Sequence, residues 1–406
     1  MFFLDNIKAQ ETAERFGTPT YVYDEKILRM RCRDLIDSFK GCLKPSYSAK
    51  ANSNLTLLKI IKEEGLYADA MSPGEIFTLQ NAGFRADEIF YIGNNVSADE
   101  MLYAAKQGIL VSVDSLSQLE TFGKINRGGK VAMRFNPGLG AGHCDKVVTA
   151  GHETKFGIQA EFCPEAKKIL AEYELEAVGI NQHIGSLFLD PAPYVEAARN
   201  LLQMVLTHFP GLKFVDFGGG FGIPYKSSEK RLDFALLREL LLPLLDKFTE
   251  KYDNKKIIFK CEPGRYVAAE CGAVLGKVHS IKENYGNVYV GTDIGFNVLA
   301  RPLIYDSYHE ITVLHNQSSA EAYEGKVSVV GNICESGDIL AKGRDIGKVK
   351  EGDLVVVSDA GAYGYSMASN YNCRLRPAEV LIREDGSLEL IRERDSLESL
   401  LQNFPK

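Results

Sequence analysis

The 406-residue sequence lacks the features that would associate a chain with nucleic acid or a membrane. It has no run of lysine or arginine, and its formal net charge is −7, which argues against nucleic acid as a partner. No uncharged apolar run is long enough to span a bilayer. The amino terminus reaches Asp5 before a hydrophobic signal region can develop. These absences predict a soluble chain of the cytoplasm.

The cysteines show no paired spacing typical of a metal site. In a reducing compartment they would remain free thiols. His143, Cys144 and His152 lie close together in the sequence, but their spacing matches no familiar ligand set. We therefore predict no metal, and interpret the glycine-rich segment Gly138–Asp145 as a mobile active-site loop. The cysteines are Cys32, Cys42, Cys144, Cys163, Cys261, Cys271, Cys334 and Cys373.

The first two-thirds of the chain contain eight apolar runs typical of strands. The first five end at residues 50, 71, 93, 114 and 135, so successive ends lie 21 or 22 residues apart. Helical patterns such as Asn54–Glu64 and Gly74–Ala82 fill the gaps. This alternation predicts an α/β fold, an eight-stranded parallel (β/α)8 barrel. The runs are Ser46–Lys50, Leu66–Met71, Ile89–Gly93, Ile109–Asp114, Lys130–Phe135, Ala177–Ile184, Phe214–Phe217 and Ile257–Glu262.

A different pattern begins near Gly272, where helical spacing gives way to short β-branched or aromatic runs separated by turn residues. This predicts an antiparallel β domain, sandwich-like or barrel-like. The alternating segment Thr18–Asp24 adds a strand to it. We therefore assign the barrel to residues 26–270 and the β domain to residues 1–25 and 271–406. The later runs are Ala273–Ile281, Val288–Asp293, Ile311–Leu314, Lys326–Gly331, Asp353–Ser358 and Ala378–Ile382.

Polar residues and glycines cluster where the barrel runs end, which is the rim that carries chemistry in such barrels. Lys50 ends the first run, and a desolvated lysine there is a candidate Schiff-base nucleophile; alone, it would be interpreted as a surface lysine. Ser72 and Ser115 have the alternative role of helix N-caps. The strand-end residues are Lys50, Asp69, Ser72, Asn94, Asn95, Asp114, Ser115, Asn136, His183, Ser186, Gly218, Gly219, Gly220, Glu262 and Arg265.

The glycine-rich segment Gly218–Gly222 follows the seventh run, where phosphate sites recur in barrels. A phosphate site and a Schiff-base lysine together suggest pyridoxal 5′-phosphate. Glu262 could bond the pyridine nitrogen, Arg265 could reach phosphate or substrate, and His183 could stack on the ring. The alternatives are a tight turn for the glycines, an ion pair between Glu262 and Arg265, and a core position for His183.

Short motifs occur throughout the chain, at residues 47–52, 155–158, 183–186, 218–222, 262–265, 301–305, 334–338, 361–363 and 369–372. Together they resemble the alanine-racemase-like, fold-type III family of pyridoxal-phosphate decarboxylases, most closely its diaminopimelate decarboxylases. The resemblance implies that Lys50 carries the cofactor, that His183 stacks on its ring and that Glu262 faces the pyridine nitrogen. It also implies that Ser186 and the glycine loop hold the phosphate, with Gly264, Arg265 and Tyr363 completing the cofactor site.

The resemblance further implies a homodimer whose neighbouring subunit supplies Cys334, the proton donor after carbon dioxide leaves, and Glu335. An inert buried thiol is the alternative for Cys334. Arg301, with Arg265, Tyr305 and Tyr363, would grip the distal part of the substrate. A guanidinium fork favours a carboxylate over the terminal ammonium of a simple diamine.

The implied reaction is decarboxylation of meso-2,6-diaminopimelate to L-lysine and carbon dioxide, with Glu335 accepting the distal amino group. Leu187, Phe296 and the Gly138–Asp145 loop depart from the family's usual pattern. They leave open the same chemistry on carboxynorspermidine, a citryl-diamine siderophore intermediate, or a D-amino acid such as D-ornithine or D-lysine. A racemase, a non-catalytic cofactor-binding protein and a cofactor-free Schiff-base aldolase are the remaining alternatives.

Overall fold

A computed structural model of the chain describes residues 3–138, 140, 150–151, 154–316 and 321–405. It divides into two compact units. One comprises residues 29–223 and 230–267, and the other residues 1–28, 224–229 and 268–406. We propose that these units correspond to the two predicted domains. Within the described residues, no helix has the length and apolar character needed to cross a membrane.

The first unit is a closed parallel barrel, which confirms the predicted fold class. In chain order its strands, numbered first to eighth below, pair as 4-3-2-1-8-7-6-5, and pairing of the fourth with the fifth closes the ring. A short strand, Ile158–Gln159, extends the fifth. The eight strands are Lys44–Ser48, Tyr67–Ala70, Ile89–Ile92, Leu110–Val113, Lys130–Asn136, Glu176–Asn181, Phe214–Asp216 and Ile258–Cys261.

Helices alternate with the barrel strands, and several begin at a capping side chain. Ser72 Oγ accepts the Glu75 N–H at 3.2 Å, and Ser115 Oγ accepts the Gln118 N–H at 3.1 Å. Both serines therefore have the N-cap role given above as their alternative. The helices are Glu25–Phe39, Leu55–Glu63, Pro73–Asn81, Ala98–Lys106, Leu116–Ile125, Cys163–Glu172, Ala192–His208, Phe234–Lys251 and Arg265–Ala268; one-turn helices occupy Ala49–Ala51, Ala86–Glu88 and Ala160–Phe162.

The second unit is built on a nine-stranded sheet. Most pairs are antiparallel, as predicted, but Thr20–Asp24 pairs in parallel with Ala378–Ile382, and Asn287–Thr292 with Lys326–Val330, so the sheet is mixed. Its strands are Thr20–Asp24, Gly272–Asn284, Asn287–Thr292, Ile311–Leu314, Lys326–Val330, Ile339–Asp345, Leu354–Val357, Ala378–Ile382 and Leu388–Arg392; its helices are Asn6–Phe16 and Arg301–Tyr305, with one-turn helices at Tyr365–Met367, Tyr371–Cys373 and Glu398–Leu401.

Thr20–Asp24 lies in the interior of this sheet. It pairs antiparallel with Gly272–Asn284 on one side and parallel with Ala378–Ile382 on the other. Val22 contributes to an apolar core whose other members include Leu275 and Val380. The amino-terminal strand is therefore part of the core of the second unit.

Candidate active site

Lys50 lies on the one-turn helix Ala49–Ala51, directly after the first barrel strand. The sequence predicted that the strand would continue to Lys50, but it ends at Ser48 because the chain turns there into the helix. The positive charge of Lys50 favours the ionised forms of Asp69, Glu75 and Glu262, and so contributes a lowering of their pKa values. It disfavours protonation of His183, and so contributes to lowering the pKa of that imidazole as well. The amine is therefore within electrostatic reach of groups from four separate parts of the barrel.

Three buried carboxylates accompany this lysine. Burial, opposed by Lys50 and by a hydrogen bond from Ser48 Oγ, raises the pKa of Asp69 to about 8. Burial likewise raises the pKa of Asp216 to about 6, against the attraction of Lys260. The Gly218 N–H donates to Asp216 Oδ1 at 2.9 Å. Burial disfavours the charged form of each acid unless a cation lies nearby.

Glu262 follows the eighth strand and is 5% exposed. Burial, together with repulsion from Asp216 and Asp69, raises its pKa well above the ordinary value. Its Oε1 is buried and accepts no hydrogen bond from any residue that the structure describes. Such an acceptor is costly unless it meets a donor, and a protonated pyridine nitrogen is a donor of the right charge. The carboxylate therefore fits the predicted partner of the pyridoxal ring.

His183 lies two residues beyond the end of the sixth strand. Its Nδ1 accepts a hydrogen bond from the Gly219 N–H at 3.1 Å. Burial, reinforced by the charges of Lys50 and Arg134, lowers its pKa well below the ordinary value. The imidazole is therefore neutral, and with Nδ1 accepting, its proton lies on Nε2. A neutral ring held in one orientation is suited to stack on a planar cofactor.

The glycine loop after the seventh strand packs against neighbouring backbone. A Cβ on Gly219 would lie 1.8 Å from the Glu262 carbonyl oxygen, and one on Gly220, where φ is +103°, would lie 2.3 Å from the Gly185 carbonyl oxygen. Neither position has room for a side chain. Beside the loop, Arg265 Nη2 donates to Ser186 Oγ at 2.9 Å. The predicted phosphate ligands therefore include a cation and a hydroxyl in direct contact, a donor set that suits a phosphate.

In the second unit, Arg301 begins the helix Arg301–Tyr305 and is 1% exposed. Its Nη1 donates to Tyr225 Oη at 2.8 Å and lies 3.0 Å from His309 Nε2, and its Nη2 donates to Ser307 Oγ at 3.3 Å. Tyr305 is half-buried at the end of the same helix. These three contacts are made with side chains that carry no fixed charge.

Cys334 and Glu335 are exposed in the same unit. The Cys334 N–H donates to Asn372 Oδ1 at 2.8 Å, and the Tyr371 hydroxyl donates to Glu335 Oε1. The thiol is therefore accessible, which excludes the alternative of an inert buried cysteine within this chain. Tyr363 is half-buried at a positive φ of 56°.

The family described as "Pyridoxal-dependent decarboxylase, pyridoxal binding domain" matches residues 25–269. Diaminopimelate decarboxylase of Methanothermobacter thermautotrophicus is 40% identical over 98% of this chain and 94% of its own length. This chain belongs to the diaminopimelate decarboxylase family. It is therefore a carboxy-lyase that uses pyridoxal phosphate, as the sequence predicted.

Solved structures of this decarboxylase family agree with that assignment. Diaminopimelate decarboxylase of M. jannaschii in complex with L-lysine has a TM-score of 0.89 and 32% identity, covering 98% of this chain and 94% of that one. The Helicobacter pylori enzyme complexed with L-lysine has a TM-score of 0.88 and 31% identity, covering 97% of this chain and 98% of that one. The likeness extends through both units.

The decarboxylase also contains site residues that the sequence reasoning missed. Arg134 is buried, lies over the Phe156 ring and lowers the pKa of Glu262. Asp216 could have been noticed as a carboxylate at the end of a buried strand, two residues before Gly218. His309 and Tyr225 had no sequence signal, because only the tertiary fold brings them to Arg301.

His143, Cys144 and His152, whose spacing matches no familiar metal-ligand set, lie outside the described part of the decarboxylase, as does most of the Gly138–Asp145 loop. Among the residues that are described, no group of three or more histidines, cysteines and acids could hold a metal ion.

Proposed function

We propose that this chain decarboxylates meso-2,6-diaminopimelate to L-lysine and carbon dioxide, with Lys50 binding the pyridoxal phosphate. The observation that carries the proposal is the joint presence, at one end of the barrel, of Lys50, neutral His183 and Glu262, whose buried Oε1 accepts no hydrogen bond from the described residues. The likeness to diaminopimelate decarboxylases across 98% of the chain supports this substrate.

The residues present fit the cofactor. We assign Lys50 to the covalent link, His183 to the ring face and Glu262 to the pyridine nitrogen, and the phosphate to Ser186, Arg265 and the loop Gly218–Gly220, with Gly264 and Tyr363 completing the site. When bound, pyridoxal phosphate withdraws the electron pair that remains on the substrate carbon as carbon dioxide leaves.

The other assigned residues orient the substrate and return a proton. Arg301, Arg265, Tyr305 and Tyr363 hold the distal end, where a bidentate guanidinium suits the carboxylate that the reaction leaves intact. The Glu335 carboxylate accepts hydrogen bonds from the distal ammonium. The Cys334 thiol delivers its proton to the carbon that lost carbon dioxide and is then reprotonated from solvent, so charge and protons balance.

We further propose that the active form is a cytoplasmic homodimer in which the neighbouring subunit supplies Cys334 and Glu335. Their exposure on the second unit supports this arrangement, because a proton donor that serves a neighbouring chain must be accessible at the surface. Closed two-fold dimers are also the commonest soluble oligomers.

Borohydride reduction followed by peptide mapping tests the cofactor link, and a substrate panel tests the reaction. We expect the pyridoxyl group on Lys50, and release of carbon dioxide from meso-diaminopimelate in preference to D-lysine, D-ornithine and carboxynorspermidine. Lys50→Ala should lose both the adduct and turnover, whereas Lys59→Ala, a change at an exposed helix position, should keep both. An adduct at another lysine, or preference for a substrate without a distal carboxylate, would refute the proposal.

A further inference from the structure

Arg301 is buried beside an imidazole that is itself buried. His309, at 1% exposure, places Nε2 at 3.0 Å from Arg301 Nη1. Its other ring nitrogen, Nδ1, lies 2.8 Å from the carbonyl oxygen of Ser358. The imidazole therefore lies between a guanidinium and a backbone carbonyl, and contacts each through a different nitrogen.

The two neighbours determine the protonation of the ring. A guanidinium can only donate hydrogen bonds, and a carbonyl oxygen can only accept them. The contact with Ser358 therefore requires a proton on Nδ1, and the contact with Arg301 requires a lone pair on Nε2. One uncharged tautomer satisfies both, whereas a doubly protonated ring would direct an N–H at the N–H of Arg301.

Further contacts fix the positions of the Ser358 carbonyl and of the Arg301 guanidinium. Ser358 follows the strand Leu354–Val357, and its N–H donates to the Glu310 carbonyl at 2.9 Å, so the acceptor of His309 is anchored to the sheet. The Tyr225 ring meets the imidazole edge-on, with centroids 5.4 Å apart and an interplanar angle of 78°. Tyr225 Oη also accepts from the nitrogen that contacts His309. Two acceptors on one nitrogen fix the plane of the guanidinium.

We propose that His309 is a positioning residue that orients Arg301 for the distal carboxylate of the substrate. This inference rests on the proposed function, in which Arg301 holds that carboxylate, and assigns its orientation to a neutral imidazole anchored on Ser358. Specificity for a substrate with a carboxylate at both ends then depends on a residue that touches neither carboxylate.

Two substitutions separate this role from a structural one. His309→Asn keeps a donor near Ser358 but is too short to reach Arg301, whereas His309→Gln places an amide oxygen where Nε2 accepts. The holoenzymes are titrated calorimetrically with L-lysine, which has the distal carboxylate, and with cadaverine, which lacks it. KM and kcat for meso-diaminopimelate are measured in parallel.

For His309→Asn we expect the dissociation constant of L-lysine and KM to rise roughly 10- to 100-fold, the range for losing a hydrogen bond to a charged group. Cadaverine affinity should be unchanged and kcat should stay within about threefold. His309→Gln should recover most of the loss. His279→Asn, a change at an exposed histidine on the strand Gly272–Asn284, is the matched control and should behave as wild type.

Equal weakening of L-lysine and cadaverine, or no recovery by His309→Gln, would overturn the inference. If His309→Asn does not fold, Tyr225→Phe replaces it, because this change removes the other acceptor on Nη1. A loss of affinity confined to L-lysine supports the inference. An equal loss of affinity for L-lysine and cadaverine refutes it. Failure of the wild-type enzyme to decarboxylate meso-diaminopimelate would refute the proposed function instead, since the calorimetric comparison does not depend on turnover.

Discussion

At the residue scale, the barrel brings together three buried acids, of which Asp69 and Glu262 are within electrostatic reach of Lys50 and Asp216 is within reach of Lys260. Asp69, Asp216 and Glu262 each have a raised pKa because burial removes the water that would stabilise their charge. Such displaced pKa values are typical of functional sites.

Glu262→Gln should keep the cofactor but lose most of its activity. The amide is nearly the same shape but has no charge to hold a proton on the pyridine nitrogen, so we expect kcat to fall roughly 100-fold or more, as when a charge-stabilising group is removed. Borohydride trapping at Lys50 should be unaffected. Steady-state kinetics and peptide mapping check this, and a variant with wild-type kcat would show that Glu262 does not serve the ring nitrogen.

Asp69→Asn should change how stability depends on pH. The folded pKa of Asp69, about 8, lies above its unfolded value of about 3.9. Between these values the folded state keeps the proton that the unfolded state has lost. The free energy of unfolding of the wild type should therefore fall as pH rises from about 4 to 8, by at most about 1.4 kcal/mol per pH unit from this group.

The asparagine variant cannot titrate, so its stability relative to wild type should increase between pH 5 and pH 8 in denaturant titrations of the holoenzyme. Asp253→Asn, at an exposed loop position, should show no such trend. Parallel pH profiles for wild type and Asp69→Asn would contradict the assigned pKa.

At the element scale, the glycine loop after the seventh strand contacts both His183 and Glu262. Gly219 donates its N–H to His183, and its α-carbon packs against the carbonyl of Glu262. One short segment therefore contacts both His183, proposed to stack on the cofactor ring, and Glu262, proposed to face the pyridine nitrogen.

Gly219→Ala should disrupt this element. The added methyl group would lie 1.8 Å from a backbone oxygen, so the loop has to move. We expect kcat to fall at least tenfold and pyridoxal-phosphate affinity to weaken, because a small displacement of catalytic groups is costly. Gly74→Ala, where the nearest atom is 3.7 Å away, should leave both unchanged. Absorbance titration with the cofactor and kinetics measure these effects, and wild-type values in Gly219→Ala would contradict the packing.

The sequence predicted most strands of the fold, and it missed those whose apolar pattern is interrupted. All eight barrel strands were predicted, and Ile311–Leu314 and Ala378–Ile382 agree to the residue, because apolar β-branched runs between turn residues are local signals. The strands Ile339–Asp345 and Leu388–Arg392 were missed, since charged residues interrupt their apolar character.

Some residues of the candidate site could likewise be predicted from local sequence, and others could not. Lys50, His183 and Glu262 could be predicted from their places near strand ends, because parallel strands bring those ends together. The contacts of Arg301 could not, since Tyr225 and His309 reach it through the fold of the second unit and have no motif of their own.

At the scale of the whole molecule, the proposed shared site predicts complementation between inactive chains. Lys50→Ala and Cys334→Ala homodimers should each be nearly inactive. When they are mixed and allowed to exchange subunits, half of the dimers are mixed, and each mixed dimer has one site with both native residues. Activity should therefore recover to about one quarter of the wild-type level. Carbon dioxide release measures it, and no recovery despite proven exchange would indicate that each chain uses its own Cys334.

The central position of Thr20–Asp24 has a consequence for biosynthesis. Thr20 pairs with Leu275 and with Ala378, so the ribosome makes this segment hundreds of residues before either neighbour exists. Pairings so distant along the chain form slowly, and until then the apolar ribbon Tyr21-Val22-Tyr23 has no partner. A nascent polypeptide stalled before Ala378 should therefore require chaperones or aggregate, even if its barrel has already folded.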